Sequence, residues 1–211
     1  TEFLEPGQPI SKYEKELFIK EFDKILDNTN VVTISGSAPQ GLNKDIYKVL
    51  IDMAKAKDKK VILDTSGDLL KEGIKANPTM IKPNSEEMES LLGISINNKD
   101  EIIKSALKLH QSGIEVVVSL GDDGALLVSK EGIYQGRPPK IDVVNTVGCG
   151  DSMVAAFAVG FERGYSLVDS LKYAISVSAA NALTNSTGSF KQEDAESIYK
   201  DIEITKINIE N

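Results

Sequence analysis

Apolar residues return along this chain in two rhythms. Short, nearly continuous apolar runs alternate with longer stretches in which apolar side chains recur at helical spacing. The runs Val31-Val32-Thr33-Ile34, Lys60-Val61-Ile62-Leu63, Thr79-Met80-Ile81 and Val116-Val117-Val118-Ser119-Leu120 read as buried strands. Between them, Leu17, Phe18, Phe22, Ile25 and Leu26 mark one helix, which Ser11 and Glu14 open with capping-box spacing. Ile46, Val49, Leu50, Met53 and Ala54 mark a second helix, and Leu69, Leu70 and Ile74 a short third. Ser85–Leu92 reads as a Glu-rich helix, and Ile102, Ile103, Ala106, Leu107 and Leu109 as another. Ala125–Tyr134 reads as a hairpin turning at Lys130-Glu131-Gly132. Two long apolar helices run from about Met153 to Asn185, an amphipathic helix ends near Tyr199, and Ile202–Ile204 reads as a terminal strand. Thr1-Glu2-Phe3-Leu4 and Ile141-Asp142-Val143-Val144 read as strand ends.

Strands alternating with helices predict an α/β fold: one domain over residues 1–211, with a mostly parallel, Rossmann-type sheet covered by helices on both faces. In such folds ligands gather at the carboxyl ends of the strands. The Gly-rich and polar segments fall at those ends, so they are expected to share one site.

Composition narrows the function. The 211 residues are 41% hydrophobic and 27% charged, with net charge −8 and pI near 4.8. That balance argues against a nucleic-acid face, which needs clustered Lys and Arg. No apolar run reaches the ~20 residues of a membrane helix. Cys149 is the sole cysteine, which excludes an internal disulfide and fits a reducing cytoplasm. His110, the sole histidine, reads as solvated surface, and the Lys55 to Lys60 charge run as a helix end.

The segment Asn145-Thr146-Val147-Gly148-Cys149-Gly150-Asp151-Ser152 carries the clearest chemistry. Gly148 and Gly150 let backbone N–H groups converge at the start of an apolar helix, where its dipole favours an anion. Asp151 beside that anion hole is placed to take a proton from an attacking hydroxyl. The same residues also suit a plain turn with Asp as helix cap. Other segments carry similar pairs of readings. Asn84 and Ser85 suit a helix cap, with Glu86 and Glu87 complementing the dipole. Gly121–Gly124 suits a hairpin turn, Ser37 a local turn, and Asn181 a satisfied buried amide. No Gly-x-Gly-x-x-Gly opens the first βαβ unit, which argues against a NAD-type fold.

The Asn145–Asp151 segment resembles the C-terminal motif of the ribokinase-like (phosphofructokinase-B) sugar kinases. Lys82-Pro83-Asn84-Ser85-Glu86-Glu87 resembles their Asn-x-x-Glu motif, and Ser119–Gly124 their nucleotide-binding strand and turn. Ser35–Gly41 resembles their substrate loop, and Thr1–Gly7 a mid-chain segment of the hexose-phosphate branch, which holds 1-phosphofructokinases and tagatose-6-phosphate kinases. Four motifs in consistent order, within a likeness running to about Ile204, are far more specific than any one. The resemblance implies ATP- and Mg²⁺-dependent phosphoryl transfer to a hydroxyl of a hexose phosphate, fructose 1-phosphate or tagatose 6-phosphate. It gives Asp151 the part of general base, and Gly148, Cys149 and Gly150 that of anion hole. Asn84 and Glu87 would organise Mg²⁺ through waters, and Lys82 would meet a phosphate oxygen. Ser119, Gly121 and Gly124 would line the nucleotide, Asn181 would approach the adenine, and Gly36 and Ser37 would meet the sugar phosphate.

Two departures stand out. Cys149 replaces the usual small Ala or Ser, either as a thiol open to modification or as a small residue that merely fits. The resemblance also lacks the family's N-terminal strands, sugar-hydroxyl contacts and β lid. The chain is therefore expected to be the nucleotide-binding and catalytic part, weakly active or inactive unless complemented. The alternative to the enzyme is a nucleotide-binding fragment without turnover. Pairing through the lid makes a homodimer an expectation for the full-length form only.

Overall fold

The computed structural model describes residues 7–208. The predicted strand end at Thr1–Leu4 lies outside them. In chain order the elements are α1 (Lys12–Leu26), β1 (Val31–Ser35), α2 (Ile46–Ala56), β2 (Lys60–Asp64), α3 (Gly67–Gly73), β3 (Met80–Ile81), α4 (Ser85–Leu92), α5 (Lys99–His110) and β4 (Glu115–Ser119). The hairpin β5 (Ala125–Ser129) and β6 (Gly132–Arg137) follows, then α6 (Cys149–Arg163), α7 (Leu167–Ala182), α8 (Gln192–Asp201) and β7 (Glu203–Ile207). These strands form one seven-stranded sheet in sequence order.

The α/β class with helices on both faces is borne out. Strands β1 to β4 are mutually parallel, while β5, β6 and β7 are antiparallel to their neighbours. β2, β3 and β4 are buried on both sides, as their near-continuous apolar runs required, while edge strand β1 buries only Ile34. Side-chain alternation along each strand divides the core in two. Leu63, Ile81, Val116, Val118, Leu126 and Val128 face one side, with residues of α1 to α5. Ile62, Met80, Val117, Ala125 and Leu127 face the other, under α6, α7 and α8.

Local chemistry sets the element ends. Ser11 and Glu14 form the expected capping box, with Glu14 N–H donating to Ser11 Oγ at 3.2 Å. Gly93 and Gly164 end α4 and α6 in left-handed conformations.

Two expectations are corrected. Ile141–Val144 is irregular, with Val143 and Val144 half-exposed. Pro138 and Pro139 precede it, and without N–H groups they cannot carry a ladder onward. His110 is half-buried, its Nδ1 2.7 Å from Ile114 O, so it ties a helix end to β4. Helix α1 forms as expected; of its residues only Leu26 is buried, while Tyr13, Leu17, Phe18 and Ile25 are exposed.

On the second face α6 and α7 approach closely. A methyl group on Gly160 would stand 3.0 Å from Ser170 Cβ and 3.5 Å from its Cα. Ser170 is fully buried, so little can move aside. Gly160→Leu is expected to lower stability by about 2 kcal/mol through overpacking. Urea unfolding should show a lower midpoint with an unchanged slope.

Candidate active site

The site forms where the parallel strands end. β1 ends into Gly36, β2 at Asp64, β3 into Lys82, and β4 at Ser119. Gly36 N–H donates to Asp64 O at 2.9 Å, and Lys82 N–H to Leu63 O at 3.3 Å. Asn84 and Ser119 form an isolated parallel bridge. Hydrogen bonding between the strand ends thus brings three of the motifs side by side.

The fourth arrives through α6. Gly148 is its N-cap at φ +85°, a conformation that favours glycine. A side chain there would also collide with Gly188 N, 2.7 Å from a Cβ, and Thr187 Cγ2, 2.8 Å away. Ser152 N–H donates to Gly148 O at 2.8 Å, and Cys149 N–H turns back to Thr146 O at 3.2 Å. Among the described residues, the N–H groups of Gly148, Gly150 and Asp151 have no acceptor. Unpaired donors at the positive end of a fifteen-residue helix make a ready anion site. The Cys149 amide is already engaged, so the free donors are its neighbours.

Lys82 is buried, yet a Cβ on Gly150 would lie only 3.5 Å from its Nζ. Its ammonium is therefore beside the anion hole. The partner that makes this burial tolerable is Asp64, 3.2 Å from Nζ. Burial raises the Asp64 pKa above the ordinary value, Lys82 opposes that rise, and the charges of Glu87 and Asp151 add to it. Glu87 and Asp151 thus both lie close enough to Asp64 for their charges to reach it across the cleft. Asp151 itself is exposed in the first turn of α6.

Asn84 and Glu87 form a full capping box on α4. Glu87 N–H donates to Asn84 Oδ1 at 2.8 Å, and Asn84 N–H to Glu87 Oε2 at 2.9 Å. Capping holds both side chains at the strand end, and Glu87 Oε1 has no partner among the described residues. In this set no three His, Cys, Asp or Glu side chains converge to hold a metal ion. Hard oxygen donors without a cage fit a hydrated Mg²⁺ that takes its other ligands from phosphates.

A cavity of about 640 Å³ opens beside the anion hole. Ser119, Gly121, Gly124, Cys149 and Gly150 line it, with an apolar wall including Met153, Ile175 and Ala179. Gly124 at φ +82° lets the turn pass Gly136 O, which a Cβ would strike. Gly36 and Ser37 lie exposed at the other end of the cleft; Gly36 O accepts from Thr65 Oγ1 at 2.7 Å. Asn181 departs from its expected place. It is fully buried, and its amide is engaged by Val147, Cys149 and Ser189, so no polar atom of it is left for an adenine.

The residues that the sequence reading did not single out are Asp64 and the apolar wall. Asp64 closed an apolar strand run like any strand-end polar residue. Only the pairing of β2 with β3 shows it to be the counter-charge of Lys82.

Residues 1–194 match the family described as pfkB family carbohydrate kinase. The chain belongs to that family. It is 34% identical over 203 residues to a 1-phosphofructokinase of Haemophilus influenzae, covering 95% of this chain and 65% of that protein. It is 36% identical over 211 residues to a tagatose-6-phosphate kinase of Staphylococcus epidermidis, covering 98% and 68%. Among solved structures, phosphofructokinase-2 from Escherichia coli in complex with potassium superposes with a TM-score of 0.86 at 29% identity, over 94% of this chain and 65% of that one. The chain thus spans about two thirds of the length of these relatives. Among the described residues, no helix is long and apolar enough to cross a membrane.

Asp64→Asn should destabilise this pfkB-family fold by about 3 kcal/mol, because Lys82 would be left buried and unpaired. The raised pKa of Asp64 adds a sign. The folded state takes up this proton before the unfolded state does, so this group's contribution to stability falls as pH rises from the ordinary carboxylate value to the raised one. Urea titrations across that window should show the slope in the wild type and its loss in Asp64→Asn.

Proposed function

We propose that this chain carries the catalytic and nucleotide-binding machinery of an ATP-dependent sugar-phosphate kinase. The observation that carries this reading is the cavity lined by Gly150, with free N–H groups and the buried Lys82 ammonium beside that glycine and exposed Asp151 following it in the first turn of α6. Family membership supports it, and so do the names of the relatives, a 1-phosphofructokinase and a tagatose-6-phosphate kinase. Fructose 1-phosphate and tagatose 6-phosphate are the proposed acceptors, and a cytoplasmic setting goes with them.

ATP lies in the cavity with its base toward the apolar wall and its phosphates toward Gly150. The acceptor hydroxyl approaches from the Gly36 and Ser37 side. Its oxygen bonds to the γ-phosphorus, the bond to the bridging oxygen breaks, ADP leaves, and the hydroxyl proton passes to Asp151. The N–H groups of Gly148 and Gly150 and the Lys82 ammonium stabilise charge on the transferring group. Mg²⁺, held through water by Glu87 and Asn84, would neutralise phosphate charge.

Asp151→Asn should lower turnover by about a hundredfold to ten-thousandfold. Calorimetric affinity for Mg-ATP should hardly change. Turnover retained in that variant removes Asp151 from the chemistry. Alkylation of Cys149 adds bulk to the cavity wall, so it should block ATP binding, and prior ATP should protect the thiol. Mass spectrometry of the labelled protein reads both.

A second reading is a chain that binds nucleotide without turning it over alone. The exposed Gly36 and Ser37 beside the unpaired edge of β1 favour it, because nothing among the described residues walls the acceptor side. Calorimetric binding of Mg-ATP without bisphosphate formation from either sugar phosphate selects this reading; turnover rejects it.

A further inference from the structure

Asn181 lies on the last turns of α7, beneath the anion hole. Its Nδ2 donates to Val147 O at 3.1 Å and to Cys149 Sγ at 3.3 Å. Its Oδ1 accepts from Ser189 N–H at 3.1 Å. The first two partners belong to the turn that opens α6. The third closes the loop that follows α7.

Those two segments pack directly on each other. A Cβ on Gly148 would lie 2.7 Å from Gly188 N. Val144 N–H and Asn145 N–H both donate to Ala182 O, at 2.8 and 3.2 Å. Thr184 Oγ1 gathers the loop further, within 3.1 Å of Asn181 O, 2.9 Å of Ser186 O and 3.0 Å of Ser189 O. Among the described residues two side chains bond both segments at once: half-buried Asn145, between Val147 N–H and Asn185 O, and Asn181, which makes three such bonds from within the core. Asn181 is fully buried, so no water competes for its amide.

We propose that Asn181 is a positioning residue, whose buried amide clamps the anion-hole turn to the loop 184–189 and so aims the free N–H groups of Gly148 and Gly150. The clamp stands on the geometry, and only its effect on turnover rests on the kinase reading. An apolar side chain of the same size would leave Val147 O and Ser189 N–H without their partner. The turn would then choose its own orientation. Donor direction matters here, since a misplacement of about 1 Å at a reacting centre costs about a hundredfold in rate. The same bonds explain why Asn181 reaches no ligand: it acts through the turn.

The test compares wild type, Asn181→Ala and Asn181→Asp. Alanine removes all three bonds and keeps the helix. Aspartate keeps the acceptor for Ser189 N–H and loses both donors. Amide hydrogen exchange is read at Val147 and Cys149, whose N–H groups are bonded within the turn, and at Ser189. Exchange in β4 and β5 serves as the internal reference. Asn181→Ala should speed exchange in both segments by about tenfold while the strands keep their protection. Asn181→Asp should speed Val147 and Cys149 and leave Ser189 near the wild-type rate. In steady-state assays kcat should fall by about tenfold or more, with KM for the sugar phosphate nearly unchanged. Unchanged exchange in the turn in both variants overturns the clamp. So does a rise spread evenly over the strands, which marks a general loss of stability. If Asn181→Ala does not fold, the split between the turn and Ser189 in Asn181→Asp decides alone. If the wild type transfers no phosphate, the kinase reading falls, and the exchange pattern still judges the clamp.

Discussion

Unpaired N–H groups at the start of α6 decide where negative charge can settle in this molecule. They exist because Gly148 takes a left-handed conformation at the N-cap, and because Cys149 N–H folds back on Thr146 O instead of joining them. Everything else at the carboxyl edge of the sheet is placed relative to that spot. Lys82 reaches it from β3, Asp151 stands one residue beyond Gly150, and the cavity wall of α7 closes one side. The helix supplies a fixed positive end that needs no reorganisation when charge develops there.

The arrangement carries an electrostatic cost that the fold must meet elsewhere. Lys82 is almost excluded from water, and a buried ammonium is tolerable only with a counter-charge. Asp64 supplies it, yet Asp64 is itself held above its ordinary pKa by burial and by the negative charges of Glu87 and Asp151. The cleft therefore crowds acids around one lysine. An incoming cation-bound nucleotide would meet both signs of charge where it needs them: cationic donors for its phosphates and carboxylates for its metal.

Much of this was legible in the residues, because glycine, proline and asparagine punctuate the chain locally. Gly148, Gly150, Asn84 and Gly124 announce a helix mouth, a cap and a tight turn from their neighbours alone. The strand and helix runs were equally readable, since parallel strands buried on both faces leave unbroken apolar stretches such as Val116–Val118. What stayed hidden depends on pairing across distance. Asp64 and Lys82 meet only through the register of β2 with β3. Asn181 finds Val147 thirty-four residues away, and nothing in an apolar helix says that one amide will face inward to two loops. Val143 and Val144 misled for the opposite reason: their apolarity suggested a ladder that Pro138 and Pro139 had already stopped.

The open flank of β1 has a geometric consequence for the cleft. A parallel ladder advances in step, so a strand hydrogen-bonded along Val31–Ser35 would bring its own terminus level with Gly36. Whatever loop followed that strand would rise as a parapet over Ser37 at the rim of the cleft. The rim of the sheet and the doorway of the cleft are thus the same piece of architecture.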